Sequence, residues 1–268
     1  MANLTQSDRL SVSRLSKWLF IGAILVWAFW NPIAQIPFSI KNVPYALDYV
    51  SKMIPPDMAI LPQMVEPLLE TLQMAIVGTV AALVISLPIS FLAARNTMPV
   101  GAISLATRGA LSFLRSMPAM VWALLFVSLS GLGMLAGVLG ITCHVTGALG
   151  KMFYECIEAT GPKIKNVLEA MQIDGATRVQ VIWYGIVPEI MPLVASYVLY
   201  RFESTIRTST IMGMVGAGGL GLELTMAVRM FRRQEASAII LVILAFVLFV
   251  DWASGLIRKR IMESSGYV

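Results

Sequence analysis

Three charged residues that interrupt an apolar segment are the best candidates for chemistry in this chain. Arg201, Glu203 and Arg207 stand in a run that otherwise reads as a membrane span. Charges within a span are costly, and they usually face the protein interior or a water-filled cavity. Glu203 and Arg207 are four residues apart, the spacing at which side chains pair on a helix face. If that pair neutralises itself, Arg201 is left to contact an anion; the alternative is that all three pair with neighbouring spans.

A glycine cluster follows these charges. Gly216, Gly218 and Gly221, with Gly219 among them, fit the GxGxxG spacing of dinucleotide-binding proteins. That motif requires a preceding strand in a βαβ unit, and the sequence predicts neither. The glycines are explained by close packing of helices, or by a broken helix that lines or gates a pathway. No GxxxxGKS or GxxxxGKT motif occurs, so any ATP site must lie on another chain.

Residues suited to metal binding or covalent catalysis are scarce. The chain has one histidine, His144, and two cysteines, Cys143 and Cys156, without metal or redox spacing. Catalysis needs acids, bases or metal ligands that converge on one site. We therefore predict that the chain is not an enzyme and carries no metal or cofactor.

The composition indicates a membrane protein built from helices. Hydrophobic residues make up 57% of the chain and charged residues only 13%, whereas about 25% is usual in soluble domains. The apolar runs are continuous, unlike the alternating segments of outer-membrane barrels. The net charge of +5 comes from basic residues that flank apolar runs, which indicates topology and not a nucleic-acid partner. We predict an all-α integral membrane protein.

Six stretches reach the length of about 20 residues that a transmembrane helix needs. They are 18–38, 68–94, 112–133, 134–157, 186–206 and 236–257. The first follows basic residues without a convincing cleavage site, so we interpret it as a retained signal anchor. Residues 101–114 could form a further embedded helix, and the segment around 208–224 could be re-entrant.

The distribution of basic residues predicts the orientation. With six spans, one side of the membrane carries twelve lysines and arginines near span ends, and the other carries five. Cytoplasmic loops carry the excess of positive charge. Both termini and the polar loop 158–185 are therefore expected to be cytoplasmic.

This polar loop is predicted to form two short helices. Gly161-Pro162 should stop the preceding helix, and Asn166 fits an N-cap with a capping-box partner three residues on. A helix from Val167 to Ile173 should break at Gly175, and a second should run from Ala176 to Tyr184. On this evidence alone the loop could be an ordinary surface loop or a docking projection.

The spacing in this loop resembles that of the EAA loop of ATP-binding-cassette (ABC) importer permeases. Glu169 and Ala170 match the Glu-Ala positions, Gly175 matches the glycine, and Pro188 matches the proline that opens the next span. Met171 stands where a second alanine is common. The resemblance covers roughly residues 68–257.

Two further blocks are similar to the phosphonate-type branch of that family, which includes phosphite permeases. They are LGKMFYECIE from Leu149 and LYRFESTIRTSTIMGMVGAGGLGLEL from Leu199, and RSMP at Arg115 resembles the entry to a core span. The resemblance implies a type I importer (MetI-like) permease fold, with an N-terminal region over residues 1–67, a permease core over residues 68–257 and a tail over residues 258–268.

The resemblance also implies partners and a mechanism. The permease would be a homodimer in the bacterial inner membrane, with two cytoplasmic ABC ATPase subunits that hold ATP and Mg²⁺, and a periplasmic substrate-binding protein. Phosphonate or phosphite would cross by alternating access at the dimer interface. The loop residues implied to dock on the ATPase are Glu169, Ala170, Met171, Asp174, Gly175 and Arg178.

Two alternatives stay open at this point. An ion-gradient-driven secondary transporter would be expected to show inverted repeats and acidic residues at the middle of the spans; the sequence shows no repeat, and few acidic residues lie deep in its spans. An ABC permease for another small solute, such as methionine, would share the loop but not the two phosphonate-type blocks.

Overall fold

The protein is described by a computed structural model over residues 17–30, 43–98, 100–173 and 175–264. These residues contain helices and no strand, so the predicted all-α class is confirmed. The chain divides into two units, Met1–Lys52 and Met53–Val268. In the first, α1 (Lys17–Trp30) is an apolar helix shorter than a span. It forms the first half of the predicted span 18–38, whose remainder lies outside the described residues; α2 (Val43–Ser51) follows.

The second unit contains the helices that carry the site. In chain order they are a 3₁₀ turn Met58–Met64, α3 (Val65–Ala93), α4 (Gly101–Ser116), α5 (Ala119–Ser130), α6 (Met134–Ile173), α7 (Arg178–Gln180), a π-helical turn Val181–Ile186, α8 (Val187–Met212), a second π-helical turn Gly213–Ala217, α9 (Gly219–Arg229) and α10 (Arg233–Ser264).

Four helical segments of this unit are long and apolar enough to cross a membrane. They are Met58–Ala93, Met134–Thr160, Val181–Ala217 and Arg233–Ile261. They correspond to the predicted spans 68–94, 134–157, 186–206 and 236–257. The third of them is longer than predicted, because α8 continues through the polar residues that follow position 206.

The predicted span 112–133 is wrong in its form. In its place α4 and α5 make a pair bent by 87°, with the geometry of a broken span or a re-entrant loop, and residues 101–114 belong to the first helix of the pair. The bend lies at Met117-Pro118. A residue before proline is driven towards extended backbone, and Met117 has φ −80° and ψ 128°.

The predicted helix stop at Gly161-Pro162 is also wrong. α6 continues through both residues to Ile173, so the predicted helix Val167–Ile173 is its last section, and Asn166 is not an N-cap. Proline inside a helix costs about 3 kcal/mol. Intrinsic propensity is a weak guide when tertiary packing opposes it, and α6 packs against α3, α4, α5 and α8.

The core is built on a stripe of mostly small residues along α3. Buried positions recur every three or four residues, the spacing of one helix face: Thr71, Met74, Ala75, Gly78, Thr79, Ala82, Ser86, Ser90 and Ala93. Small residues let backbones approach closely where no hydrophobic effect drives helices together. This stripe seats α3 against α6, whose Leu149, Phe153 and Ile157 are buried in the same cluster.

The spans of this unit have two distinct ends. The end of α3 at Ala93 lies beside Arg108 and Ser104 of α4, and Glu158 of α6 joins them. We call it the loop end, because residues 158–185 follow directly. At the opposite end, the Asp57 N–H donates to the Gln234 carbonyl at the start of α10.

Candidate functional site

The polar loop turns at Gly175. α6 ends at Ile173, Gly175 has φ +79°, and the Ala176 N–H donates to the Met171 carbonyl over 3.0 Å. A bond across this interval, with a left-handed glycine inside it, is the Schellman ending of a helix. The break predicted at Gly175 is confirmed, because only glycine adopts this conformation without strain.

The capping box of the loop lies after this turn. The Thr177 N–H donates to Oε1 of Gln180 over 2.8 Å, and the Gln180 N–H donates back to the Thr177 hydroxyl over 3.4 Å. The box was predicted at Asn166 and Glu169, where α6 is uninterrupted. The sequence carries the correct signal, threonine followed three residues later by glutamine. From Arg178, helical backbone runs into α8, so the predicted helix 176–184 is its beginning.

The loop is therefore a projection of two helices joined by a tight turn. Glu169, Gly175 and Thr177 are exposed, and Met171 is half-buried. Val179 presents 63% of its surface to the outside. Of the other predicted docking residues, Ala170 lies in α6 and Arg178 opens α7, while Asp174 lies outside the described residues. Such a projection can be gripped by a partner with a complementary cleft.

An ionic clamp ties this projection to two other helices. Arg108 of α4 pairs with Oε1 of Glu158 in α6, and its Nε donates to the Ala93 carbonyl at the end of α3 over 2.8 Å. The same carboxylate oxygen accepts from the Arg95 N–H over 2.8 Å. The guanidinium also lies 4.6 Å from the centre of the Tyr154 ring. The clamp thus connects α6, where the loop begins, to the end of α3 and to α4.

The predicted pair Glu203–Arg207 is confirmed, and it has a third member. Nη2 of Arg207 lies 3.4 Å from Glu203, and Nη1 lies 2.8 Å from Asp251 of α10. Two carboxylates thus surround this arginine. These ion pairs connect α8 to α10, and they compensate the charge of Arg207 within the chain.

Arg201 has a different environment. Its Nη2 lies 3.2 Å from Nε2 of His144 in α6, and Nδ1 of the same ring lies 2.9 Å from the Met117 carbonyl at the bend between α4 and α5. No ion pair in the described ranges joins Arg201 to a carboxylate. Sequence reasoning dismissed His144 as a candidate residue, because nothing in the spacing indicated that it meets Arg201 57 residues away.

The glycine cluster forms the turn between α8 and α9. Gly216, Gly218 and Gly219 all have positive φ, and a side chain at Gly221 would collide with the Thr210 carbonyl. The turn also binds other elements: the Gly133 N–H donates to the Gly216 carbonyl over 2.9 Å. Positive φ and close contacts explain why glycine stands at these positions, and the role of the turn in lining or gating a pathway stays a prediction.

Side chains of α3 cap the start of α9. The Gly219 N–H donates to Oε2 of Glu70 over 2.8 Å, and the Leu220 N–H donates to the Thr71 hydroxyl over 3.0 Å. These two backbone donors are therefore engaged within the chain. The arrangement holds the turn against α3 at the end opposite the loop.

Comparisons with known proteins agree with this architecture. A family model described as "Binding-protein-dependent transport system inner membrane component" matches residues 86–263. A phosphite transport system permease protein of Stutzerimonas stutzeri is 38% identical over 242 residues, 90% of this chain and 87% of that protein. A phosphate-import permease protein of Mycolicibacterium smegmatis is 35% identical over 218 residues, 81% of this chain and 40% of that protein.

Among solved structures, an inward-facing form of the MetNI methionine ABC transporter has a TM-score of 0.65 at 19% identity, and covers 76% of this chain and 99% of its own. At this identity the likeness concerns the fold. The matched family model and the long alignments carry the assignment further. The chain belongs to the binding-protein-dependent transport system inner membrane components, the permease subunits of ABC importers.

Proposed function

We propose that this permease imports a small phosphorus oxyanion, phosphite or a phosphonate, and that a partner ATPase subunit supplies the energy by hydrolysing ATP. The observation that carries the proposal is the similarity to the phosphite permease of S. stutzeri over 90% of this chain. A second relative in that organism, a putative phosphite transport system permease protein, is 38% identical over 234 residues. The substrate is first selected by a periplasmic binding protein, which delivers it to the permease.

The loop 158–185 couples ATP hydrolysis to the spans. Its exposed Glu169, Gly175 and Val179 dock in the cleft of a cytoplasmic ATPase subunit, together with Ala170, Met171, Asp174 and Arg178 of the same segment. Because α6 is continuous from the membrane into the loop, a displacement of the loop moves Glu158 and pulls on the clamp with Arg108.

The assembly contains two permease chains, two ATPase subunits and one binding protein. We propose two copies of this chain, with the pathway between them. Mass measurement of the purified complex tests this point. A single kind of permease chain would support the homodimer, and a second, related permease chain in equal amount would show a heterodimer instead.

Uptake by the reconstituted complex tests the function. Vesicles that contain the permease and its ATPase, with ATP inside and loaded binding protein outside, should accumulate phosphite or a phosphonate. Uptake without ATPase would instead support a gradient-driven transporter. ATP-dependent uptake of methionine, but of neither phosphorus oxyanion, would support a permease for another solute.

Loop variants test the coupling. Glu169→Ala and Gly175→Asp should weaken retention of the ATPase and lower uptake. Glu66→Ala, an exposed acidic residue at the opposite end, should retain the ATPase. Gly101→Asp is the second control, since Gly101 has open space around it and lacks a positive φ. Normal docking and uptake in both loop variants would refute the coupling assignment.

A further inference from the structure

Two arginines of the membrane segments lack a carboxylate partner among the described residues. Arg201 lies midway in the segment Val181–Ala217, and Arg115 lies just before the bend that breaks the span of α4 and α5. Among the described residues, neither arginine forms an ion pair. Arg115 lies two residues before Met117, whose carbonyl contacts His144, and its backbone packs against Gly147, three residues after His144 in α6. The two arginines therefore concentrate positive charge near the bend.

The hydrogen bonds define what His144 contributes. The Met117 carbonyl can only accept, so Nδ1 of His144 carries the hydrogen and donates to it over 2.9 Å. The ring's Nε2 is then free to accept from Nη2 of Arg201 over 3.2 Å. The neutral ring orients the guanidinium without supplying a counter-charge. Nε of Arg201 is buried and has no hydrogen-bond partner among the residues that the structure describes.

Arg207 differs from Arg201 in having carboxylate partners. Arg207 lies six residues further along α8, and Glu203 and Asp251 compensate its charge. A guanidinium with a buried, unpaired donor costs free energy unless something else supplies the missing acceptor. Among the described residues, Arg201 is thus the arginine of α8 whose charge is uncompensated and whose Nε donor is unused.

A cavity between α6 and α8 lies on the loop-end side of this group, and the residues that line it do not include the two arginines or His144. Its volume is about 460 Å³, and it is lined by Met152, Glu155, Cys156, Ala159, Thr160, Leu193 and Tyr197. Tyr197 lies one helical turn before Arg201, and Met152 lies about two turns after His144, on matching faces of their helices. At roughly 30 Å³ per water, the cavity has room for a hydrated small anion. Charged side chains within membrane segments usually face the protein interior or a water-filled space.

We propose that Arg201 and Arg115, with His144 orienting the former, form the resting site of the transported oxyanion within the permease. The site rests on the proposed import function. A guanidinium presents paired N–H donors that match two oxygens of a tetrahedral phosphorus anion, and the anion would satisfy Nε of Arg201. Two arginines compensate the two negative charges of such a substrate at the break in the span, where discontinuous helices commonly hold ligands.

The test measures uptake and ATP hydrolysis in the same vesicles that contain permease, ATPase, ATP and loaded binding protein. With phosphite or methylphosphonate as substrate, Arg201→Gln should lower uptake roughly ten- to a hundredfold, the effect of losing a charge-assisted hydrogen bond. Stimulation of hydrolysis by the loaded binding protein should persist, because the loop and clamp are unchanged. Arg201→Lys should retain a fraction of the uptake, and His144→Gln should fall between wild type and Arg201→Gln.

Arg115→Gln and Arg229→Gln provide a matched comparison. Both arginines are exposed, so neither change should prevent assembly, and only Arg115→Gln should reduce uptake. Wild-type uptake in both Arg201→Gln and Arg115→Gln would overturn the site while leaving the import function standing. If Arg201→Gln fails to assemble, unchanged uptake in Arg115→Gln overturns the site by itself. Absence of phosphite and phosphonate uptake by the wild-type complex would instead contradict the proposed function.

Discussion

Replacing Arg108 by alanine should loosen the loop end of the permease and uncouple it from the ATPase. The side chain is only 19% exposed, and its partner Glu158 is 29% exposed, so solvent screens the pair weakly. The substitution removes a charge-assisted hydrogen bond, which contributes about 1.5–3 kcal/mol. It also removes the contact with the Tyr154 ring, which contributes about 0.5–1 kcal/mol. The expected loss of stability is about 2–4 kcal/mol.

Thermal unfolding of the purified permease measures this loss. For a chain of this size, 1 kcal/mol corresponds to about 2–4 °C in the unfolding midpoint, so Arg108→Ala should lower it by about 4–16 °C. Arg229→Ala removes an exposed arginine at the end of α9 and should change stability by less than about 0.5 kcal/mol. In reconstituted vesicles, Arg108→Ala should also lower the amount of substrate imported per ATP hydrolysed.

A double substitution separates the pair from its surroundings. Removing one partner leaves the other charge unpaired, whereas replacing both with apolar residues of similar size is much less damaging. The double variant of Arg108→Met and Glu158→Met should therefore be more stable than the sum of the two single changes implies. Simple additivity, or an unfolding midpoint of Arg108→Ala equal to that of Arg229→Ala, would refute the reasoning.

Three further changes test other regions of the structure. Thr177→Ala removes the capping box and should cost about 0.5–2 kcal/mol, seen as faster hydrogen exchange in the first turn of α7; unchanged exchange would contradict the cap. Glu70→Ala should speed exchange of the Gly219 amide, which loses its acceptor, while Glu70→Gln keeps most of the protection; equal exchange in both variants would argue against the cap on α9. Gly140→Val would drive a side chain against the backbone of Ala123, and this overpacking should cost about 1–3 kcal/mol, measured as a lower unfolding midpoint; an unchanged midpoint would show that α5 and α6 can separate freely.

Local signals in the sequence located some features well. The break at Gly175 follows from the freedom of glycine at positive φ, and the pairing of Glu203 with Arg207 follows from their spacing on one helix. Other local signals misled. Gly161-Pro162 reads as a helix stop, but α6 continues through it to Ile173. The span 112–133 reads as one apolar helix, but Met117-Pro118 divides it between the end of α4 and α5, which meet at an 87° bend.

Composition and periodicity alone determined that this chain is a helical membrane protein with a polar loop. Polar groups are costly in lipid, so the spans appear in the sequence as long apolar runs and the loop as a polar interval between two of them. Contacts between residues far apart in the chain could not be recognised from the sequence in this way. The sequence placed Arg201 and Arg207 on equal terms as charged residues in one span. Only the tertiary structure distinguished them, by bringing Asp251 from α10 to Arg207 and His144 from α6 to Arg201. Whether the charge of an arginine is compensated depends on which residues the packing of the helices brings beside it. That packing depends on the shapes of the side chains and on contacts between small residues along the described helices.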